Sequence, residues 1–303
     1  MRPNHTPTCQ CMCFLEGRTK LKLCMTILVR DEEELIRANL DYHLSRGVDF
    51  IVATDNRSQD STADILREYE KRGVLHYIFE PDDDYSQDQW VTRMARIAAE
   101  QYKADWIMHV DADEFWWPSD GRKIPKILES VDNSIDGLIV PRSNFVPIEN
   151  YDDRSPFFTQ LTVREKKSLN PLGRPLPPKV CHRGTSDIKV SQGNHSFGFE
   201  NRAPRTEQCG NILIFHFQKR GFKQFQKRIQ QGGAAYDRNQ RLNKAVGDTW
   251  RELYELDRKG ELQEYFTDST YTDEEIKQGI VNESLVSDTR FMLYMTELYG
   301  QQQ

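Results

Sequence analysis

The feature that most constrains the fold is an alternation of short apolar runs with helix-like segments over the first half of the chain. The runs have the length of strands, and the segments between them place apolar residues on one helical face, as Ile36, Leu40 and Leu44 do. The predicted strands are Cys24–Val29, Phe50–Thr54, Val74–Phe79, Trp106–Val110 and Gly137–Pro141. This order of elements predicts an α/β fold with a parallel sheet that carries helices on its faces.

Polar residues follow three of these predicted strands. The three clusters are Arg30–Glu32, Asp55–Ser58 and Asp111–Asp113. Because ligands of open parallel sheets bind beyond the carboxyl ends of the strands, all three clusters are expected at one edge of the sheet. Together they indicate a binding site more strongly than any one of them alone.

The second half of the chain is less regular. Residues 141–210 are rich in Pro and Gly and contain scattered strand signals, such as Phe157–Arg164, and Ile212–Phe217 predicts a further strand. Helical patterns then cover Gly221–Gln231 and 248–298. The expected organisation is a flexible leader at 1–20, a main domain at 21–220 and a helical C-terminal extension at 221–303.

The overall composition is that of an ordinary globular protein, with 37% hydrophobic and 29% charged residues. The net charge of -6 argues against binding of nucleic acid, which needs a basic face. No apolar run approaches the roughly 20 residues that span a bilayer, and the N-terminus lacks the apolar core of a signal peptide. We therefore expect a cytoplasmic protein without a transmembrane segment.

Three cysteines, Cys9, Cys11 and Cys13, lie close together in the leader, with only His5 nearby. A zinc site would need a second Cys/His cluster at a suitable spacing. The spacing instead favours reduced thiols on a loose tail that binds no metal.

An acidic motif, Asp111-Ala112-Asp113-Glu114, follows the predicted strand that ends at Val110. Two carboxylates separated by one residue at a turn can converge on one cation, and Mg²⁺ and Mn²⁺ prefer such oxygen ligands together with phosphates and waters. A cation at Asp111 and Asp113 would bridge the phosphates of a nucleotide sugar and offset the charge on the departing diphosphate. The alternative is an acidic turn without a ligand. The position at a strand end, beside aromatic residues, favours the metal site.

A second motif, Asp55-Asn56-Arg57-Ser58-Gln59-Asp60-Ser61-Thr62, ends the second predicted strand. A carboxylate at Asp55 would accept the imide N–H of a uracil or another base N–H. Asp60 and Ser61 precede a predicted helix, so capping of that helix is the alternative role for this segment, with Ser61 and Asp64 forming a capping box.

Two segments that contain these motifs, 25–66 and 106–118, resemble glycosyltransferase family 2, in particular a subgroup with a D-x-D-E-F signature. The D-N-x-S-x-D-x-T stretch of that family is matched at Asp55, Asn56, Ser58, Asp60 and Thr62. The opening strand of the family usually ends in Asn-Glu, and here the corresponding residues are Arg30-Asp31-Glu32. Later segments, GNHSF and IFHFQKRGFKQFQKRI, resemble His-containing segments of the subgroup, so that the similarity covers about 24–230.

The resemblance implies the A-type glycosyltransferase fold with a Rossmann-like sheet, the main domain at 21–220 being catalytic. It also implies a UDP- or GDP-sugar donor, a divalent cation (Mn²⁺ or Mg²⁺) and inversion at the anomeric carbon. By the same resemblance we expect His216 as a metal ligand beside Asp111 and Asp113. The expected catalytic residues are Asp111, Asp113 and Glu114. The acceptor is left open between a glycan, a lipid and a protein.

The residues expected to bind the donor are Arg30, Glu32, Asp55, Asn56, Ser58, Arg93, Asp111 and His195. Arg30 and Arg93 are included because guanidinium groups grip phosphate oxygens in a bidentate manner. Weaker candidates for phosphate binding are Lys179, Lys219 and Arg220. An inverting transfer also needs a base for the acceptor proton. The candidates, among which the sequence does not choose, are Glu114, Asp153, Asp187 and Glu200.

Two other functions are set against sugar transfer. A nucleotidyltransferase also uses carboxylates and a metal, but it often carries a Gly-rich phosphate loop near the first strand, and Arg30–Leu35 contains no Gly. A non-catalytic scaffold that binds nucleotide sugars is left open because no base is assigned. A dinucleotide-dependent dehydrogenase is disfavoured because no G-x-G-x-x-G follows a predicted strand.

Overall fold

The computed structural model describes residues 20–243 and 245–301. Its strands are β1 (Leu23–Val29), β2 (Phe50–Asp55), β3 (Leu75–Phe79), β4 (Trp106–Val110), β5 (Glu114–Pro118), β6 (Gly137–Val140), β7 (Arg142–Asn144), β8 (Val163–Glu165), β9 (Lys179–Arg183), β10 (Lys189–Val190), β11 (Phe197–Gly198), β12 (Thr206–Gln208), β13 (Ile212–His216) and β14 (Leu285–Ser287). Its helices are α1 (Glu33–Ser45), α2 (Thr62–Lys71), α3 (Gln87–Glu100), α4 (Ile124–Leu128), α5 (Phe157–Gln160), α6 (Phe222–Arg238), α7 (Asp248–Lys259), α8 (Leu262–Asp268), α9 (Asp273–Val281) and α10 (Arg290–Gly300).

A seven-stranded sheet in the order β12–β6–β9–β4–β1–β2–β3 forms the centre of the molecule. The pairings β3–β2, β2–β1, β1–β4 and β6–β12 are parallel, whereas β9 runs antiparallel to both of its neighbours. Helices α1, α2 and α3 connect β1, β2, β3 and β4 in turn, as is usual for crossovers between parallel strands. The predicted α/β fold with a Rossmann-like, mostly parallel sheet is confirmed.

Residues of β1 alternate between two cores, one on each face of the sheet. Leu23, Met25 and Ile27 belong to the large core that α1 and α2 cover, and Cys24 belongs to the core that α3 covers. Because both faces are covered, the central strands are apolar throughout. Burial of each such side chain stabilises the fold by roughly 1.5–3 kcal/mol. The strand ends that carry the polar clusters therefore belong to a well-packed sheet.

A second, three-stranded sheet in the order β5–β13–β7 stands beside the first. The prediction of a strand at Ile212–Phe217 is confirmed by β13, but β5 was not predicted. Trp116 and Trp117 lie in β5 and are buried, so that they pack inside the protein and do not stack on a sugar. The register places His216 opposite Glu114 and opposite Asn144.

Two local predictions were wrong. The segment Phe157–Arg164 does not form one strand, because α5 takes its first four residues and its two Phe side chains pack into the large core. Ser61 makes no side-chain cap on α2. Asp60 accepts the N–H of Thr62 instead and also that of Glu33, and thereby joins the first turns of α1 and α2.

The C-terminal part of the described chain consists mainly of helices, as predicted, but the segment 248–298 is divided into α7–α10 with β14 between α9 and α10. β14 pairs with β8, which ties these helices to the rest of the molecule. α6 and α7 approach closely, because Gly232 and Gly233 leave room for Trp250 and Tyr254. None of the described helices is long and apolar enough to cross a membrane.

Candidate active site

The turn between β4 and β5 carries the acidic motif and is held by Asn39. This fully buried side chain donates its amide hydrogens to the carbonyl oxygens of Asp111, Ala112 and Glu114, at 3.0–3.3 Å. The N–H of Glu114 also bonds to the carbonyl of Asp111 at 3.0 Å. The backbone of the turn is therefore fixed from below, and the two Asp side chains are placed at the carboxyl end of the central strand.

A cleft of about 610 Å³ opens above this edge of the sheet. One wall is formed by the ends of β1, β2 and β4, and the opposite wall by α6 and the start of α7. Aromatic side chains from Tyr85, Tyr236 and Trp250 line it and contact one another. The size is that of a small-molecule binding site, and the position at the carboxyl ends of the strands is the one predicted.

Seven of the residues predicted for the site line this cleft. They are Arg30, Glu32, Asn56, Asp111, Asp113, His195 and His216. Four other predicted residues do not line it. Asp55 is buried and accepts hydrogen bonds from the Tyr77 hydroxyl and the Ser58 N–H, and the Ser58 hydroxyl accepts the N–H of Asp31. Arg93 forms an ion pair with Glu80. Glu114 is fully buried beneath the turn.

Asp113 faces a cation supplied by the helical part of the chain. Arg228 on α6 places its guanidinium 2.5 Å from Asp113 Oδ2, and His216 Nε2 lies 3.5 Å from the same oxygen. Burial acts to raise the pKa of Asp113, but the charge of Arg228, together with its other polar neighbours, outweighs burial and holds this pKa well below its ordinary value. Asp113 is therefore an anion across the physiological pH range.

The tautomer of His216 follows from its neighbours. The Asn144 amide donates to Glu165 at 3.0 Å and to the carbonyl of Leu169 at 3.1 Å, so its oxygen must accept the hydrogen on His216 Nδ1, 2.8 Å away. In the neutral imidazole, the lone pair of Nε2 then faces Asp113 Oδ2. Two acceptor atoms then lie 3.5 Å apart, an arrangement that a cation between them would stabilise.

Asp111 has different partners from Asp113. Lys179, which is 1% exposed, places its ammonium 2.5 Å from Asp111 and 3.4 Å from Glu114, and Asn194 donates to Asp111 at 3.2 Å. Burial acts to raise the pKa of Asp111, but Lys179 outweighs it and lowers this pKa. Glu114 also binds Arg142 at 2.9 Å, so it is a buried anchor of the turn.

Glu32 begins α1 at the edge of the cleft. Its Oε2 is buried without a hydrogen-bond partner among the described residues, and the nearest cation is Arg220, at 3.5 Å. Burial raises the pKa of Glu32 to about 7 despite Arg220. Glu32 can therefore exchange a proton near neutral pH, unlike either Asp of the motif.

His195 is held at the opposite rim of the cleft. Its Nδ1 donates to the carbonyl of Pro178 at 2.8 Å. Burial, with smaller contributions from Lys179 and Arg142, lowers its pKa to about 4. The ring is therefore neutral at pH 7 and presents Nε2 as an acceptor.

The sequence reasoning missed Arg228 as a functional residue. A signal was available, because Phe222, Phe225 and Ile229 were predicted on the inward face of the helix at Gly221–Gln231, and Arg228 follows Phe225 by three residues. A charged residue on an apolar helical face needs a buried partner. That partner, Asp113, is more than a hundred residues away in the sequence, so its identity could not be inferred.

The donor set for a metal ion consists of two side chains. Within residues 20–243 and 245–301, no three His, Cys, Asp or Glu side chains converge as a metal site. Asp113 and His216 do converge, whereas the Asp111 carboxylate is directed to Lys179. Mg²⁺ and Mn²⁺ at phosphate sites commonly take one or two carboxylates and complete the shell with phosphates and waters, so Asp113 fits such an ion, with the His216 imidazole as a second ligand beside it.

Three carboxylates proposed for the acceptor proton lie outside the cleft at the surface. Asp153 is exposed, Asp187 is exposed and accepts the N–H of Glu200, and Glu200 is exposed and pairs with Lys189. The fourth, Glu114, is fully buried between Lys179 and Arg142. The predicted leader at 1–20, with Cys9, Cys11 and Cys13, lies outside the described residues. Only its last residue, Lys20, is described.

The sequence profile of glycosyltransferase family 92 matches residues 19–246 of the chain. This span contains the central sheet, the acidic motif, His216 and α6. The chain therefore belongs to glycosyltransferase family 92. The prediction of a glycosyltransferase is confirmed, with family 92 as the family shown, while the resemblance to family 2 stays a prediction.

Solved structures of similar architecture include residues 1–349 of TarS from S. aureus. That structure is 13% identical in sequence, covers 86% of this chain and 92% of the TarS chain, and has a TM-score of 0.42. The complex of the same TarS fragment with UDP-GlcNAc is 12% identical, covers 86% of this chain and 92% of the TarS chain, and has a TM-score of 0.45. HddC from Yersinia pseudotuberculosis is 9% identical over 64% of this chain and 92% of its own, with a TM-score of 0.36. None of the curated protein sequences compared with the chain matches it.

Proposed function

We propose that the chain transfers a sugar from a UDP- or GDP-sugar to an acceptor hydroxyl, with a divalent cation, Mn²⁺ or Mg²⁺, held by Asp113 and His216. The main support is the approach of Asp113 Oδ2 to His216 Nε2, 3.5 Å apart at the edge of a cleft of ligand size. A cation there would neutralise the two acceptor atoms and the phosphates of a donor together. Membership of a glycosyltransferase family supports sugar transfer.

In the proposed reaction the acceptor oxygen forms a bond to the anomeric carbon as the bond from that carbon to the diphosphate oxygen breaks. The electron pair of the broken bond stays on the nucleoside diphosphate, and the acceptor proton passes to a base. Attack from the face opposite the leaving group gives inversion. The chain's part is to hold positive charge where the leaving group becomes more negative.

Arg228 and Arg30 supply that charge in this account. Both line the cleft, and Arg228 already lies 2.5 Å from Asp113, so it can exchange its carboxylate partner for a phosphate when the donor binds. Lys179 is too deeply buried to leave Asp111, with which it forms an ion pair at 2.5 Å. We propose that this pair orients the turn, while Asn56 and His195 contact the donor at either rim.

The proposal is tested by incubating the protein with a panel of UDP- and GDP-sugars, with and without Mn²⁺, and measuring release of the nucleoside diphosphate. We expect release from one donor that depends on Mn²⁺, and at least a hundred-fold loss in Asp113→Ala. Asp273→Asn, a change in an exposed carboxylate on α9, is the matched control and should behave as the wild type.

Release of pyrophosphate would indicate nucleotidyl transfer instead. Donor binding without turnover of any donor, even into water, would favour a binding scaffold. Undiminished release in Asp113→Ala would remove the acidic motif from the mechanism.

A further inference from the structure

A second cavity of about 450 Å³ adjoins the cleft. Residues 145–147 and the segment 268–271 form much of its lining. Four residues line both spaces, namely Asn170, Pro171, Gln218 and Lys219. The two spaces therefore adjoin along these four residues.

The floor of the second cavity lies one side chain from the acidic motif. Asn144 lines the cavity and is buried, and its oxygen accepts the hydrogen of His216 Nδ1 at 2.8 Å. His216 in turn lies 3.5 Å from Asp113 on the cleft side. A group bound in this cavity therefore lies two side chains, Asn144 and His216, from Asp113, and an acceptor would extend past the four shared residues to reach the sugar in the cleft.

The lining of the second cavity has the chemistry of a carbohydrate site. Tyr265 and Tyr271 supply aromatic rings, and Glu165, Asp268 and Glu275 supply carboxylates. Sugars present apolar C–H faces that pack on aromatic rings and hydroxyls that donate to carboxylates. The exposed Asp268 carboxylate has no hydrogen-bond or ion-pair partner among the residues that the structure describes, and so it is available to a ligand.

The charge of the second cavity selects against anionic ligands. Of the described residues that line it, Lys219 alone is cationic, and its ammonium lies 3.3 Å from the Tyr265 hydroxyl and 4.6 Å from the centre of that ring. Burial lowers the pKa of Lys219 to about 8, which weakens even this positive charge. Three carboxylates against one shielded cation favour a neutral, hydroxyl-rich ligand.

We infer that the second cavity is the acceptor site and that it binds a neutral oligosaccharide, in preference to a lipid, a protein or an acidic glycan. The inference rests on the proposed sugar transfer, because only that function requires an acceptor beside the donor cleft. The acceptor enters past Leu169, which is 47% exposed, and extends over Tyr265 and Tyr271 toward Asn144.

The test is binding of the full chain to an array of neutral oligosaccharides and of matched oligosaccharides that contain uronic acids. Two variants are compared with the wild type: Asp268→Asn removes a charge without a change of size, and Thr270→Trp fills the cavity. Glu264→Gln, on the same helix as Asp268 but outside the cavity, is the matched control. Calorimetry of UDP with Mn²⁺ on the same samples reports on the donor cleft separately.

We expect the wild type and Glu264→Gln to retain neutral glycans, with at least a ten-fold weaker signal for Asp268→Asn and no signal for Thr270→Trp. The inference is overturned if the wild type retains no neutral glycan, if it prefers the acidic ones, or if both variants bind like the wild type. If calorimetry shows that the wild type does not bind UDP with Mn²⁺, the result counts against the proposed function, whatever the array shows.

Discussion

At the scale of single residues, the site is organised by two cations that each neutralise one Asp of the acidic motif. Both cations line the cleft, but Lys179, which pairs with Asp111, is 1% exposed, whereas Arg228, which pairs with Asp113, is 24% exposed. The first pair is fixed, since a buried charge that loses its partner is destabilised by several kcal/mol. The second pair is open to exchange, and so Arg228 is the residue whose removal should most affect the donor.

Replacement of Arg228 by Met should weaken the binding of UDP in saturating Mn²⁺ by about 10- to 100-fold, because a charge-assisted hydrogen bond to phosphate is worth roughly 1.5–3 kcal/mol. Isothermal titration calorimetry measures this change. Lys223→Met is the matched control, because Lys223 is an exposed cation on the same helix and does not line the cleft. Equal weakening in both variants would mean that only the net charge matters.

Replacement of Asn144 by Leu should lower the affinity for Mn²⁺ by about 10- to 100-fold, as is typical when the residue that orients a metal-binding His is removed. Without the Asn144 oxygen, the hydrogen of His216 is no longer held on Nδ1, and the Nε2 lone pair no longer has to face Asp113. Electron paramagnetic resonance of free Mn²⁺ measures the affinity. A variant that is folded, as judged by its unfolding curve, and keeps full affinity would contradict the ligand role of His216.

Residue identities at the site were predictable only where the chemistry is local. Asp111 and Asp113 follow a buried strand directly, so position and residue type sufficed to propose them. The roles of Arg228 and Asn144 depend on contacts with residues 115 and 72 positions away, and no periodicity encodes those pairs. Even Asp111 was only partly anticipated, because the structure directs it to Lys179.

At the scale of elements, buried histidines join the strands of the central sheet. His182 Nδ1 donates its hydrogen to the Arg183 carbonyl at 2.8 Å, so His182 Nε2 is an acceptor. It accepts from His109 Nε2 at 3.0 Å. His109 Nδ1 in turn accepts from the Thr26 hydroxyl at 2.7 Å. This chain of hydrogen bonds crosses β9, β4 and β1 and requires both rings to be neutral. Burial keeps them so, lowering the pKa of His182 to about 4 and that of His109 well below its ordinary value.

The free energy of unfolding should therefore fall as the pH decreases from about 6.5 to about 4. In this window the unfolded chain protonates His109, His182, His195 and His43, whose folded pKa is about 3, while the folded chain does not. Glu32 acts in the opposite direction, because its raised pKa lets the folded state take up one proton. The net difference of roughly three protons gives a slope of about 4 kcal/mol per pH unit at most.

Urea unfolding at several pH values measures this slope. Carboxylates with lowered pKa values, such as Asp113, lose their contribution only below about pH 4, outside the window. Stability that stays constant or rises between pH 6.5 and 4.5 would contradict the assignment of neutral buried imidazoles.

The elements of the central sheet were predictable because local periodicity and strand ends specify them. β1 to β4 were each predicted within about one residue of their observed bounds. The strands β5 and β7 were missed, since they are short and are stabilised by pairing with β13, about 70 to 100 residues away. That second sheet is what brings His216 to Asp113.

At the scale of the whole molecule, the helical part closes the cleft from above. α6 packs on α7 through Gly232, where an added Cβ would lie 2.5 Å from the Trp250 ring, and Trp250 lies under the Arg228 guanidinium at 5.3 Å. The wall of the cleft and the position of Arg228 therefore depend on one close helix contact. The sequence predicted the helices but not that they complete the site.

Replacement of Gly232 by Ala should lower the free energy of unfolding by about 1–3 kcal/mol, because the new methyl group overlaps a fixed ring at a helix contact. It should also weaken UDP binding, since Arg228 and Trp250 are displaced together. Chemical denaturation and calorimetry measure the two effects. Gly300→Ala, at the end of α10 with no atom within 4 Å of an added Cβ, should change neither.

The most direct test of the account is a crystal structure of the chain with Mn²⁺ and UDP. We predict a Mn²⁺ ion bound to Asp113 Oδ2 and His216 Nε2 and to the diphosphate, with the Arg228 guanidinium moved from Asp113 to a phosphate oxygen. The account would be contradicted by a diphosphate bound outside the cleft. It would also be contradicted by a diphosphate in the cleft if Arg228 still pairs with Asp113 and no cation lies between Asp113 and His216.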